Sequence, residues 1–202
     1  MENQSLEALA EAVLGKILVP LEASGRHVHV TKEQAEALFG HDLTPERPLS
    51  QPGQYLCRER VTVIGPKGEF RNVAVLGPVR KEAQVEISLT DGKTLGIQPP
   101  LRLSGDVNKS PGCVLEGSRG QVALQNGVIA AKRHIHLTPE DGIRFGVRDG
   151  QNVRLQTFTE RPAVYEDVTV RISPAFSAAV HLDYDEANAC GFRAGDWGRI
   201  LT

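Results

Sequence analysis

Arg26-His27-Val28-His29-Val30-Thr31-Lys32-Glu33 and Arg133-His134-Ile135-His136-Leu137-Thr138-Pro139-Glu140 are one phrase written twice. Each copy runs on to a Phe-Gly pair, Phe39-Gly40 and Phe145-Gly146, with one residue of difference in spacing. The first half of each copy alternates imidazole with apolar side chains, which is the period of a strand. The threonine stands where a helix N-cap accepts a hydrogen bond, Pro139 suits the first helical position, and the glycine suits the position just past a helix end. Each copy therefore predicts strand, cap and short helix, and the duplication predicts two structurally similar halves.

Outward from these two segments the chain reads as short strands separated by turn residues. The strands are expected at residues 17–21, 26–30, 60–64, 70–75, 84–89, 121–124, 128–131, 152–156, 165–172 and 179–183. Gly65-Pro66-Lys67-Gly68, Asp91-Gly92 and Asn126-Gly127 are expected as hairpin or loop connections. Strands this short and evenly spaced favour barrels or sandwiches over a doubly wound fold. Near the N-terminus, Leu6, Leu9, Ala10, Val13, Leu14 and Ile17 follow the spacing of an amphipathic helix with Asn3 or Ser5 as cap. That helix runs almost directly into Pro20 without a flexible linker, which favours docking on the body over a role as a partner or targeting helix.

A chain of 202 residues is long enough for one large domain or two small ones and for a substantial core. With 40% hydrophobic and 24% charged residues and a mean hydropathy of -0.24, it has the composition of an ordinary soluble protein. A net charge of -2 and a pI near 6.3 provide no general cationic surface for nucleic acid or anionic lipid, so any anion must be captured locally. Cys57, Cys113 and Cys190 are odd in number and widely spaced, which signals neither a disulfide framework nor a thiolate zinc site and fits a reducing cytoplasm. No apolar run reaches a membrane span of ~20 residues, and no signal-peptide pattern opens the chain.

Alternation along a strand projects His27 and His29 to one face, and His134 and His136 likewise. Neutral imidazole is a good ligand for zinc and similar ions, and two rings at i and i+2 can reach one ion. A single His-x-His also arises at strand ends without any metal. Here four of the six histidines occupy matching places in a repeated segment. His181 follows an apolar run and reads as a strand residue, either a core histidine or a further ligand. His41 falls in a loop after the first helix and is given no role.

In Gln84-Val85-Glu86-Ile87-Ser88-Leu89 the alternation sets Glu86 opposite the apolar face; its carboxylate is either solvated, as the pattern alone favours, or functional. Leu76-Gly77-Pro78-Val79-Arg80 brings a rigid turn to an arginine. Its planar fork of donors can grip phosphate or carboxylate in two places, or it is simply a surface arginine in a turn. The Gly-rich stretch 104–112 lacks the order of a P-loop and indicates no nucleotide site; it is a substrate-facing loop or a connector. No Ser-His-Asp or Cys-His arrangement suggests an acyl-enzyme.

Ser24-Gly25-Arg26-His27-Val28-His29-Val30-Thr31, Val75-Leu76-Gly77-Pro78-Val79-Arg80 with Glu86, Ser104-Gly105-Asp106, Ala131-Lys132-Arg133-His134-Ile135-His136, and His181 with Asp185-Glu186-Ala187-Asn188 together resemble the PduL family of phosphotransacylases. The resemblance extends from about residue 17 to the C-terminus. It implies a mainly β protein with short capping helices, built as two pseudo-related small β-barrels with the metal site between them. One barrel would take residues 17–25 plus 125–202 and the other residues 26–124, after an N-terminal helix at 1–16.

The implied activity is interconversion of a short acyl-CoA, propanoyl or acetyl, plus phosphate with acyl phosphate plus CoA. Two zinc ions or other divalent ions are implied, one on His27, His29 and Glu86 and the other on His134, His136 and His181. Arg80 would match the phosphate-gripping arginine, and Ser24, Leu76, His181 and Asn188 would lie where CoA approaches. A homodimer is also implied. Two positions before Leu76, where the family often has arginine, this chain has Ala74, so Arg71 or another residue would have to supply that contact. The short N-terminal segment does not support encapsulation in a bacterial microcompartment, which leaves the cytoplasm as the expected location. A dimetal hydrolase and a protein with structural metal are the other readings of the same residues.

Overall fold

The computed structural model of the chain describes residues 13–202. Of the expected N-terminal helix, residues 1–12 lie outside the described residues. Its last part closes with the Lys16 amide donating to Val13 O at 3.1 Å and the Leu18 amide to Leu14 O at 2.8 Å.

The chain forms two compact units. One consists of the described residues up to Ser24, Arg133–Leu182 and Glu186–Thr202, and the other of Gly25–Lys132 with Asp183–Asp185. The first unit is a closed six-stranded barrel. Its strands are β1 (Val19–Ser24), β11 (His134–Leu137), β12 (Asn152–Phe158), β13 (Val164–Ile172), β14 (Ala179–Asp183) and β15 (Trp197–Leu201), in the order β1-β14-β11-β13-β12-β15. Closure leaves no unpaired edge. The alternation of β11 decides what fills it. Ile135 and Leu137 are fully buried with Val19, Leu155, Val168, Val170, Val180 and Leu182, which commits His134 and His136 to the opposite face.

The second unit is a half-barrel sheet. It contains β2 (His27–His29), β3 (Pro45–Pro48), β4 (Tyr55–Ile64), β5 (Glu69–Gly77), β6 (Gln84–Glu86), β7 (Leu101–Arg102), β8 (Cys113–Glu116), β9 (Gln121–Leu124) and β10 (Val128–Ala131). The order is β7-β10-β6-β2-β5-β4-β8-β9, with β3 pairing β4 off the path. Val28, Val75, Val85, Leu95, Leu115 and Val128 are completely buried in its core. β10 pairs in parallel with β6 and β7, so the strand at 128–131 belongs to this second unit.

Four short helices cap the strands: α1 (Lys32–Phe39), α2 (Leu89–Leu95), α3 (Pro139–Phe145) and α4 (Tyr184–Cys190). In α1 and α3 the cap is the threonine of the repeated phrase. Thr31 accepts from the Gln34 amide and Thr138 from the Asp141 amide, and each N3 side chain returns a bond to the cap amide. α2 was not anticipated. The strand expected to run to residue 89 stops at Glu86, and Asp91-Gly92 lies inside a helix instead of a hairpin turn. The physical reason is a third capping box, in which Ser88 Oγ accepts from the Asp91 amide and the Asp91 carboxylate accepts from the Ser88 amide. Among the described residues no helix is long and apolar enough to cross a membrane.

Candidate active site

β2 and β6 pair antiparallel with His27 opposite Glu86 and His29 opposite Gln84. β11 and β14 pair the same way, with His134 opposite His181 and His136 opposite Ala179. Directly opposite residues of an antiparallel pair project to the same face with Cβ atoms about 5 Å apart. Each His-x-His thus meets a third donor from the facing strand. In both groups, His27/His29/Glu86 and His134/His136/His181, the potential ligand atoms lie within 4.8 Å of one another.

The rings of the first group are held for coordination. His27 Nδ1 donates to Gly25 O at 2.8 Å and His29 Nδ1 to Leu76 O at 3.2 Å. A carbonyl can only accept, so each ring carries a proton on Nδ1 and turns Nε2 into the group, where it becomes a lone pair for an ion once His27 gives up the second proton that Glu86 favours. His27 Nε2 lies 3.6 Å from Glu86 Oε1. Burial, reinforced by neighbouring His27 and Arg80, pushes the His29 imidazole down to about 2, so it is a neutral donor. Burial opposes charge on His27 as well, but the charge and hydrogen bond of Glu86 outweigh it and hold that ring above the usual histidine value.

Glu86 is tied in turn to a polar network that ends on Arg80. Gln84, only 2% exposed, donates from Nε2 to both Glu86 Oε1 and Ser104 Oγ, the latter at 2.8 Å, and its Oε1 accepts from the Gly105 amide at 2.7 Å. Ser104 Oγ also accepts from Arg80 Nη1 at 3.1 Å, and the Arg80 amide donates to Val30 O at 2.9 Å. Arg80 thereby borders the ligand group through fixed contacts. It also lines an open pocket of about 380 Å³ with Pro52, Gly53, Gln54, Gly77 and Pro78.

The second group is all imidazole. The His134 and His181 rings stack at 4.9 Å, His136 and His181 meet edge to face at 4.7 Å, and Phe176 stacks on His136 at 4.0 Å. Glu22 Oε2 on β1 lies 3.7 Å from His181 Nδ1, close enough for charge interaction but beyond hydrogen-bond distance. Donor type, burial and spacing in both groups suit zinc or a similar divalent ion, whose bonds to imidazole nitrogen are roughly 2.0–2.1 Å long.

The remaining expected residues are more scattered. Ser24 ends β1, half-buried; Leu76 lies on β5 and orients His29 through its carbonyl; Asn188 is exposed on α4. Gln84 and Glu22 were not among the candidates read from the sequence. The signal that finds Gln84 is a fourfold pattern. His29-Val30-Thr31, Glu86-Ile87-Ser88, His136-Leu137-Thr138 and His181-Leu182-Asp183 each place a donor, an apolar residue and a capping-type residue before a short helix. The four helices are followed by Gly40, Gly96, Gly146 and Gly191, all left-handed with φ of 75, 73, 66 and 66°. Within that pattern Gln84 holds the place of His27, His134 and Ala179, two residues before the donor.

Two three-donor groups on β-barrel frameworks, one beside an anchored arginine, could each hold a metal ion. Comparison with known sequences gives the family: a family model described as phosphate propanoyltransferase matches residues 20–193, and the chain belongs to that family. It is 49% identical to a phosphate propanoyltransferase of Listeria monocytogenes over 207 aligned residues, covering 100% of this chain and 97% of that protein. A phosphate propanoyltransferase of Enterococcus faecalis is 51% identical, covering 90% of this chain and 87% of that protein. One from Clostridioides difficile is 46% identical, covering 98% and 96%. Membership makes the chain a transferase of the phosphotransacylase kind.

Proposed function

We propose that the chain transfers a short acyl group, propanoyl or acetyl, between CoA and phosphate, with one divalent ion, zinc first, at each three-donor group. The observation that supports this reading is the chain of contacts from Glu86 through Gln84 and Ser104 to Arg80, which couples a candidate metal-binding group to an anchored guanidinium. A phosphate oxygen attacks the thioester carbonyl carbon, the C–O bond forms as the C–S bond breaks, and CoA leaves as the thiolate. Arg80 holds the phosphate and neutralises its charge as it meets a second anion, in a protein of net charge -2. Ser104 and Gln84 fix Arg80 and Glu86 in one arrangement before substrate arrives. When bound, a divalent ion supplies Lewis-acid charge that stabilises oxygen as the carbonyl opens.

Ser24, Leu76, His181 and Asn188 are assigned to CoA on the strength of the family resemblance. The same resemblance supports a homodimer, and the composition supports the cytoplasm. Phosphate-dependent release of CoA from propanoyl-CoA or acetyl-CoA tests the reading. Release at an equal rate without phosphate would make the protein a thioester hydrolase instead.

A further inference from the structure

The arginine that opens each repeated phrase is the residue beside the first histidine, and it takes no part in the chemistry described above. Arg26 grips Asp91 in two places, Nη2 to Oδ1 at 2.8 Å and Nε to Oδ2 at 3.1 Å. Asp91 is buried, with its side chain 7% exposed, and it is also the residue that closes the cap of α2. Arg133 makes the matching contact in the other unit, Nη1 to Glu186 Oε1 at 2.6 Å, while its Nε donates to Glu166 O at 2.8 Å.

The correspondence is positional. Asp91 stands five residues after Glu86, and Glu186 five residues after His181. Each arginine also lies over an aromatic ring from the strand that pairs in parallel with its own. Arg26 is 4.1 Å from the Phe70 ring centre, and Arg133 is 5.5 Å from that of Tyr165. The partners differ in type, Asp for Glu and Phe for Tyr, yet the contact is the same. Both carboxylates are shielded from solvent, Asp91 at 7% and Glu186 at 17% side-chain exposure, and the recurrence of the same contact beside both donor groups points to a shared local task.

We infer that Arg26 and Arg133 are positioning residues, each clamping the strand that carries two histidines to the helix that ends the strand carrying the third donor. The clamp spans the two chain segments that must keep a fixed separation for three donors to meet one ion. Arg26 sets the distance of Glu86 from His27, and Arg133 that of His181 from His134. This rests on the proposal that the two groups hold ions.

The test loads the full chain with zinc alone and measures each ion's retention by competition with a chromophoric chelator, in the wild type, R26Q, R26K and R133Q, with the melting temperature of each metal-free protein recorded alongside. R26Q is expected to weaken one of two ions by about 10- to 100-fold, the range for outer partners of ligands, and R133Q to weaken the other. R26K should restore little of the loss, because an ammonium has no two-pronged fork. R26K keeps a cation beside the buried Asp91, so its metal-free melting should stay close to the wild type even where its zinc retention falls. Wild-type retention of both ions in R26Q and R133Q would overturn the inference, as would a metal-free melting temperature of R26K that falls in step with its zinc loss. A wild-type chain that retains no zinc would overturn the metal reading itself and the clamp with it, an outcome distinct from the other two.

Discussion

Replacing Arg80 by alanine should damage the use of phosphate far more than the use of acyl-CoA. Ser104 anchors the guanidinium at 3.1 Å, and a two-pronged grip on phosphate uses two of its five donors. Hydrogen bonds to a charged partner contribute roughly 1.5–3 kcal/mol each. Arg80 is half-buried and borders an open pocket, so solvent screening places the pair near the lower end, about 3 kcal/mol. At about 1.36 kcal/mol per tenfold, kcat/KM for phosphate should fall by about two orders of magnitude. The scaffold should survive, because Ser104 keeps its bond from Gln84 at 2.8 Å. Lysine at the same position retains the charge but loses the fork and should recover only part of the loss. The assay follows CoA thiol release at varied phosphate and fixed acyl-CoA, with thermal melting as the control for folding. An unchanged phosphate dependence in the alanine variant, or an equal rise in KM for both substrates, would refute the assignment of Arg80.

Three further outcomes are expected. Zinc uptake at the first group should release protons from His27 in the pH range where that raised histidine is charged, because burial has already left His29 neutral; affinity should weaken as pH falls through the same range. Calorimetry in two buffers of different ionisation enthalpy measures this, and no proton release would contradict it. Gln84→Leu should lower zinc retention by about 10-fold or more, since an outer partner of Glu86 is lost, and should cost about 1 kcal/mol for the lost bond to the Gly105 amide, which water can partly replace because Gly105 is exposed; unchanged denaturation and unchanged zinc retention together would rule it out. Although burial disfavours its charge, the Asp185 carboxylate is held below the usual aspartate value by the Thr90 amide and by the hydroxyls of Thr90 and Ser88. Its contribution is therefore present above the unfolded value near 3.9 and lost as pH falls through the lower folded one. Asp185→Asn should cost roughly 1 kcal/mol at pH about 7, with the difference fading in acid; urea denaturation at both pH values checks the sign.

The repeated phrase made the strand, cap and helix of α1 and α3 legible, because periodicity, threonine cap and closing glycine all pointed one way. α2 was hidden by Asp91-Gly92, whose two residues are a strong hairpin signal, whereas the decisive partner is Ser88, three residues earlier. Gly92 stands inside that helix because a Cβ there would come within 2.7 Å of Ile97 O and Pro99 Cδ. Trp197–Leu201 was missed because Gly198 interrupts its alternation. Glu86 on an alternating strand looked solvated from its own neighbours; only pairing with β2 reveals that it is 7% exposed and opposite His27. Glu22 meets His181 across adjacent barrel strands distant in sequence, a contact that no local pattern encodes.

Acyl transfer to phosphate at a metal-bound site is decided by CoA release from propanoyl-CoA and acetyl-CoA, with and without phosphate, before and after exhaustive chelation and again after zinc is returned. Release should require phosphate, yield one acyl phosphate per CoA, disappear with the metal and return with zinc. Release that ignores phosphate, or that persists undiminished in protein shown to be free of metal, would contradict it.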